Sequence, residues 1–152
     1  MKFAKNKKDR INKFIRRNYM NIFKFFRPHK KQVLVIDDDD SIRRQVSFRL
    51  EKHENITVFK AKNGKNGFNS ALEKKPDLII LDWILPDILG PAVLKKLKEA
   101  AITKNIPVLM LTGKDKIGDI EDAFRLGAEG YLTKPFQLKK LGEKVTDMLA
   151  FE

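Results

Sequence analysis

Several side chains that handle charge recur in this sequence at the ends of apolar runs. VLVIDDDD (Val33 to Asp40) passes from four apolar residues into four consecutive acids, and PDLIILDW (Pro76 to Trp83) carries Asp82 directly after its run. IPVLMLTG (Ile106 to Gly113) reaches a hydroxyl, Thr112, and GYLTKPF (Gly130 to Phe136) reaches Lys134 before Pro135. Four adjacent carboxylates repel one another unless part of the charge is neutralised. Hard oxygen ligands grouped in this way suit Mg²⁺, which takes one or two protein carboxylates and keeps waters or phosphate oxygens. Asp37 and Asp38 are placed to enter such a site, whereas Asp39, Asp40 or Ser41 is placed to cap a helix starting near Ile42. Alone, Asp82 reads equally as a solvated acid opening a turn, with Pro86, Asp87 and Gly90 just downstream. Beside an acid pair, a hydroxyl and a lysine, it becomes the acceptor in a phosphoryl-handling site. Such a transfer asks a protein mainly for positioning and charge neutralisation.

For these side chains to converge, the runs before them must be neighbouring strands. Uninterrupted apolar stretches such as Leu78–Leu81 fit strands buried on both faces of a parallel sheet. In an open α/β sheet the carboxyl ends of the strands border the ligand crevice. The hydrophobic pattern predicts strands at Val33–Ile36, Ile56–Phe59, Leu78–Leu81, Val108–Leu111 and Gly130–Thr133. It predicts helices near Ser41–Lys52, Gly64–Lys74, Gly90–Glu99, Lys116–Leu126 and Gln137–Leu149. Pro91 suits a first helical turn, and Gly127 suits the cap that follows the fourth helix. Five strand–helix repeats with short connections imply a parallel sheet with helices on both faces and right-handed crossovers.

With these residues in view, the stretch from about Lys31 to the end resembles the response-regulator receiver domain, the phospho-acceptor module of two-component signalling, and is similar to the chemotaxis receiver. The acid pair Asp37-Asp38, then Asp82, Thr112, Tyr131 and Lys134, stand in the family's order, and GAEGYLTKPF (Gly127 to Phe136) is similar to its closing segment nearly residue for residue. The resemblance implies a flavodoxin-like (βα)5 fold with strand order 2-1-3-4-5. It implies Mg²⁺ held by Asp38, Asp82 and the backbone carbonyl of Ile84, with Asp37 assisting through water. It implies a phosphohistidine donor on a histidine kinase or phosphotransfer protein, Asp82 as nucleophile and Lys134 as the neutralising cation. Thr112 and Tyr131 would be the switch pair, acting on the surface of the fourth helix, fifth strand and fifth helix. The Lys134–Pro135 bond is expected to be cis by the same analogy. Such a protein is no enzyme beyond its own phosphotransfer and dephosphorylation. Leu89 stands where the family often has a polar residue before the glycine, and Ile84 and Lys114 flank the route of water to the phosphoryl group.

The chain has 152 residues and no cysteine, which fits a single domain with an appendage in a reducing cytoplasm. Its net charge of +12 is very uneven. Residues 1–31 hold twelve Lys or Arg and one acid, Asp9; the remainder holds 20 basic and 19 acidic residues. The expected organisation is therefore a basic amphipathic arm over 1–31 and a receiver domain over 32–152. On a helix, Ile11, Phe14, Ile15, Tyr19, Ile22, Phe25 and Phe26 share one face, with Arg10, Lys13, Arg16, Arg17 and Lys24 around the rest. Pro28 ends the pattern. The arm lacks the roughly 18 apolar residues of a spanning helix and the apolar core of a secretory signal. An in-plane helix on an anionic membrane at its inner face is one reading of it, level with a basic tail that solubilises the protein or meets an acidic partner. A solubilising tail and a nucleic-acid contact are the alternatives, the last weakened by the absence of helix-turn-helix spacing. The function expected is a single-domain response regulator that signals by phosphorylation-dependent protein contact with a downstream target. The rivals are an interaction module that works without phosphorylation and a regulator using the arm on nucleic acid.

Overall fold

The computed structural model describes residues 30–113 and 117–150. Five strands alternate with five helices: β1 (Lys31–Ile36), α1 (Asp40–Glu51), β2 (Ile56–Ala61), α2 (Gly64–Lys74), β3 (Leu78–Asp82), α3 (Gly90–Glu99), β4 (Val108–Thr112), α4 (Ile117–Arg125), β5 (Gly130–Thr133) and α5 (Leu138–Ala150). The strands form one parallel sheet in the order β2-β1-β3-β4-β5, as the resemblance implies. The central strands carry the continuous apolar runs because both of their faces are covered. Every residue of β3 is buried.

The alternation of side chains along each strand divides the core into two layers. Leu34, Ile36, Ile79, Leu81 and Met110 face α2, α3 and α4, where they meet Ala71, Val93, Leu97 and Ala123. Val33, Val35, Ile80, Leu109 and Leu111 face α1 and α5, where they meet Val46, Leu50, Leu141 and Val145.

Helix ends follow local chemistry. Of the three residues that could cap α1, Asp39 does so: it is extended, and its Oδ1 accepts the N–H of Ser41 at 2.8 Å and of Ile42 at 3.2 Å. Asp40, the first helical residue, pairs instead with Arg43 and Arg44 one turn on. Pro91 lies in the first turn of α3, and Gly127 follows α4 with φ of +99°. The Lys134–Pro135 bond is cis. β1 and β2 are longer than the apolar pattern indicates. Lys31 N–H donates to the Asn55 carbonyl at 2.7 Å and Gln32 N–H to Asp77 Oδ2 at 2.6 Å, so two polar residues join the sheet edge.

Candidate phosphoryl site at the carboxyl edge of the sheet

Strand register brings the predicted residues to one edge. Ile36 pairs with Leu81, Asp82 with Leu111, and Thr112 with Thr133. Asp37 and Asp82 therefore stand level at the ends of neighbouring strands, and Lys134 follows β5 two residues beyond Leu132, the residue level with Asp82. One carboxylate oxygen from each of Asp37, Asp38 and Asp82 lies within 4.8 Å of the others. Asp37 and Asp82 are buried, whereas Asp38 is exposed.

Lys134 ties the two buried acids together. Its Nζ donates to Asp37 Oδ2 at 2.7 Å and lies 3.4 Å from Asp82 Oδ2. The sequence reading gave Asp37 a role through water; in the structure it is also the direct partner of the lysine. Asp37 Oδ1 accepts the N–H of Asp39 at 2.9 Å, and Asp82 Oδ1 accepts that of Trp83 at 2.8 Å. Burial pushes the Asp82 carboxyl up to about 6, and Asp37 adds to the rise; Lys134 and the Trp83 amide oppose it. Burial alone would lower the Lys134 ammonium, but hydrogen bonding and attraction from Asp37 and Asp82 outweigh it and hold its pKa above the usual lysine value. Lys134 therefore stays charged, and Asp82 is an unusually basic, water-poor carboxylate.

The donor set fits a hard divalent cation. Three carboxylates among the described residues lie within reach of one another and two of them face the Lys134 ammonium, so the bare charge of this cluster is negative. Among the described residues no buried side-chain nitrogen or oxygen lacks a hydrogen-bond partner, and the two buried acids, Asp37 and Asp82, are held by the Asp39 and Trp83 amides and by Lys134.

The other predicted residues are placed as follows. Thr112 ends β4 beside Thr133, and its side chain lies outside the described residues, as does Lys114. Tyr131 is half-buried on β5 and packs against the layer of α2, α3 and α4. Ile84 and Leu89 are exposed, in the loop that leaves Asp82. Residues 1–29 of the arm also lie outside the described residues. One site contact escaped the sequence reading: Arg43 Nη1 donates to the Asp37 carbonyl at 2.7 Å and Nη2 to Asp40 at 2.9 Å. Its spacing from Asp40 could have suggested the second bond but not the first.

A doubly wound sheet with acids and a lysine converging at its carboxyl edge defines a phosphoryl-signalling module. The chain belongs to the response regulator receiver domain family, whose model matches residues 33–146. It is similar to the phosphate regulon transcriptional regulatory protein PhoB of Klebsiella pneumoniae, with 37% identity over 115 residues that cover 76% of this chain and 50% of that protein. Among solved structures it is similar to the receiver domain of the Francisella response regulator 1452 (TM-score 0.74, 30% identity, 79% of this chain and 97% of that one). It is also similar to the chemotaxis protein CheY4 of Vibrio cholerae (TM-score 0.73, 30% identity, 78% and 98%). The chain spans about half the length of the curated relatives it matches.

Proposed function

We propose that this receiver accepts a phosphoryl group from a phosphohistidine donor, on a histidine kinase or phosphotransfer protein, onto Asp82, and signals through a phosphorylation-dependent contact with a downstream protein. The observation that carries the reading is the ammonium of Lys134 set between Asp37 and Asp82, 2.7 and 3.4 Å away. An Asp82 carboxylate oxygen attacks phosphorus; the O–P bond forms as the P–N bond to the donor imidazole breaks, and the ring nitrogen keeps the electron pair. Asp82 is suited to attack because burial makes it more basic than an ordinary carboxylate. Lys134 meets the charge of the incoming phosphoryl oxygens. Asp38, Asp82 and the Ile84 carbonyl, with Asp37 assisting, would hold Mg²⁺, which when bound supplies further positive charge. Thr112 then turns toward the new phosphoryl oxygens and Tyr131 follows it inward, changing the α4–β5–α5 surface.

Acetyl phosphate with Mg²⁺ should label the wild-type chain, and Asp82→Asn should take up none. Stable label on another aspartate of the otherwise intact protein would overturn the assignment. Transfer from a panel of phosphorylated histidine kinases would identify the donor.

A second reading of the output is favoured by the relatives, several of which are named as transcriptional regulators. In that reading the phosphorylated surface controls DNA occupancy. A gel shift of duplex DNA, run with and without acetyl phosphate, separates it from contact with protein alone. We assign the basic arm to the surface of an anionic membrane on the strength of its aromatic face and its cations. Among the described residues no helix is long and apolar enough to cross a membrane.

A further inference from the structure

The loop leaving the acceptor strand, from Trp83 to Leu89, is gripped from another element. Asp87 Oδ1 accepts the N–H of Gly64 at 2.8 Å, and Oδ2 accepts that of Lys65 at 2.8 Å. One carboxylate thus takes the first two N–H groups of α2. The next two are met at the helix's own entry: the Asn63 side chain accepts the N–H of Asn66 at 2.8 Å, and the Asn63 carbonyl that of Gly67 at 3.0 Å. Three of the four amides that a helix start leaves open, those of Gly64, Lys65 and Asn66, are thus satisfied, two of them by a residue more than twenty positions away in sequence. The Lys65 and Gly64 amides hold the Asp87 carboxyl below the usual range. Packing reinforces the bond. A Cβ at Gly64 would come within 2.5 Å of Ile88 Cγ1 and 2.8 Å of Val93 Cγ2, so the loop lies against bare backbone. At its other end Gly90 N–H donates to the Trp83 carbonyl at 2.7 Å, and a Cβ at Gly90 would strike the Asp82 carbonyl.

α2 already has an N-cap in Asn63, so a second acceptor arriving from a distant loop fixes that loop as well as the helix. We propose that Asp87 is a positioning residue for the phosphoryl site: by clamping the loop to the start of α2 it holds the Ile84 backbone carbonyl in place as a metal ligand. The proposal rests on the reading above that Ile84, two residues after Asp82 and three before Asp87, supplies that ligand. A backbone carbonyl on an unclamped loop must be ordered when the ion binds, and that ordering weakens affinity. With the clamp, folding has already ordered it.

The test uses the full chain and Mg²⁺ alone, with Trp83 emission as the reading. Asp87→Ala is expected to weaken Mg²⁺ affinity about three- to tenfold, at or below the low end for residues that orient a metal ligand. Asp87→Asn, which keeps one carbonyl to accept a single amide, is expected to recover part of the loss. Asn63→Ala removes a cap from the same helix without touching the loop; it should lower the urea midpoint and leave Mg²⁺ affinity unchanged. Amide exchange at Gly64 and Lys65 should quicken in Asp87→Ala. Wild-type affinity in Asp87→Ala and Asp87→Asn, or an equal loss in Asn63→Ala, would reduce Asp87 to a helix cap and overturn the proposal. A wild-type chain that binds no Mg²⁺ would overturn the reading of the site itself and the clamp's role with it.

Discussion

Asp82→Asn is expected to stabilise the metal-free protein near neutral pH while abolishing its phosphorylation. Asp82 is 6% exposed, and burial, with Asp37 adding to it, raises its pKa from the usual 3.8 to about 6. An acid that protonates more readily in the fold than in the unfolded chain stabilises the fold in its protonated form. That contribution is fully present below 3.8 and is lost as pH rises through about 6. At about 1.4 kcal/mol per pH unit, the ionised carboxylate costs the fold about 3 kcal/mol above pH 6. Asparagine keeps the volume and an acceptor for the Trp83 amide but has no charge to desolvate. It gives up the attraction of Lys134, which retains Asp37 at 2.7 Å, so the net gain is expected at about 1–3 kcal/mol. Urea denaturation of both proteins in a chelator measures it. The gain should be largest near about pH 7.5 and shrink toward zero near about pH 4, as the wild-type acid protonates. Saturating Mg²⁺ should narrow it by stabilising the wild type more. A variant no more stable than wild type near neutrality, or a gain that does not change with pH, would refute the buried-charge argument.

Asp38→Ala should weaken Mg²⁺ binding, read by Trp83 emission, while Asp40→Ala leaves it unchanged, since Asp40 is engaged by Arg43 and Arg44; equal losses would mean a diffuse acidic patch. Asp39→Ala should cost about 1 kcal/mol of stability, measured by urea denaturation, because it removes the α1 cap. Ile84→Asn and Lys114→Glu should each speed loss of the phosphoryl group from the labelled protein, and unchanged or slower decay in both would end the idea that these residues shield it. Anionic liposomes should bind the full chain and not one starting at Lys31, and replacing Phe14, Phe25 and Phe26 with Ser should abolish binding with every charge in place. If the triple variant binds as wild type does, the attraction is electrostatic alone and the in-plane helix is wrong.

Residues that follow apolar runs could be placed from sequence because the run itself does the placing. A strand buried on both faces ends where its apolar run ends, so Asp37 and Asp82 come level at the carboxyl edge and Lys134 follows just beyond the end of β5. The pairing among them was less readable. Nothing in the spacing says that the lysine takes Asp37 more closely than Asp82, since this depends on side-chain distances of 2.7 and 3.4 Å that exist only in the folded chain. Asp39 was one of three possible caps for α1; its extended backbone, visible only in the fold, decides among them. Asp87 was hidden for a plainer reason. Its partners are backbone amides of Gly64 and Lys65, and an amide N–H carries no mark in a sequence. The ion pair of Lys98 with Glu129 was hidden likewise: Lys98 also donates to the Ile106 carbonyl, and Glu129 also accepts the Val108 amide.

The division of the core into two layers gives the chain's one tryptophan a one-sided view. Trp83 is buried among the residues that face α2, α3 and α4, the layer against which Tyr131 also packs; α1 and α5 rest on the opposite layer. Emission from Trp83 therefore samples the half of the molecule that contains the acceptor's neighbour and the fourth helix. Loosening confined to α1 and α5 would pass unnoticed in the emission while still reducing helical circular dichroism. Recording both signals through one urea titration turns this asymmetry into a measurement. Coincident curves mean that the sheet couples its two faces into a single cooperative unit, and a dichroism curve that leads the emission curve means that the α1–α5 face melts first.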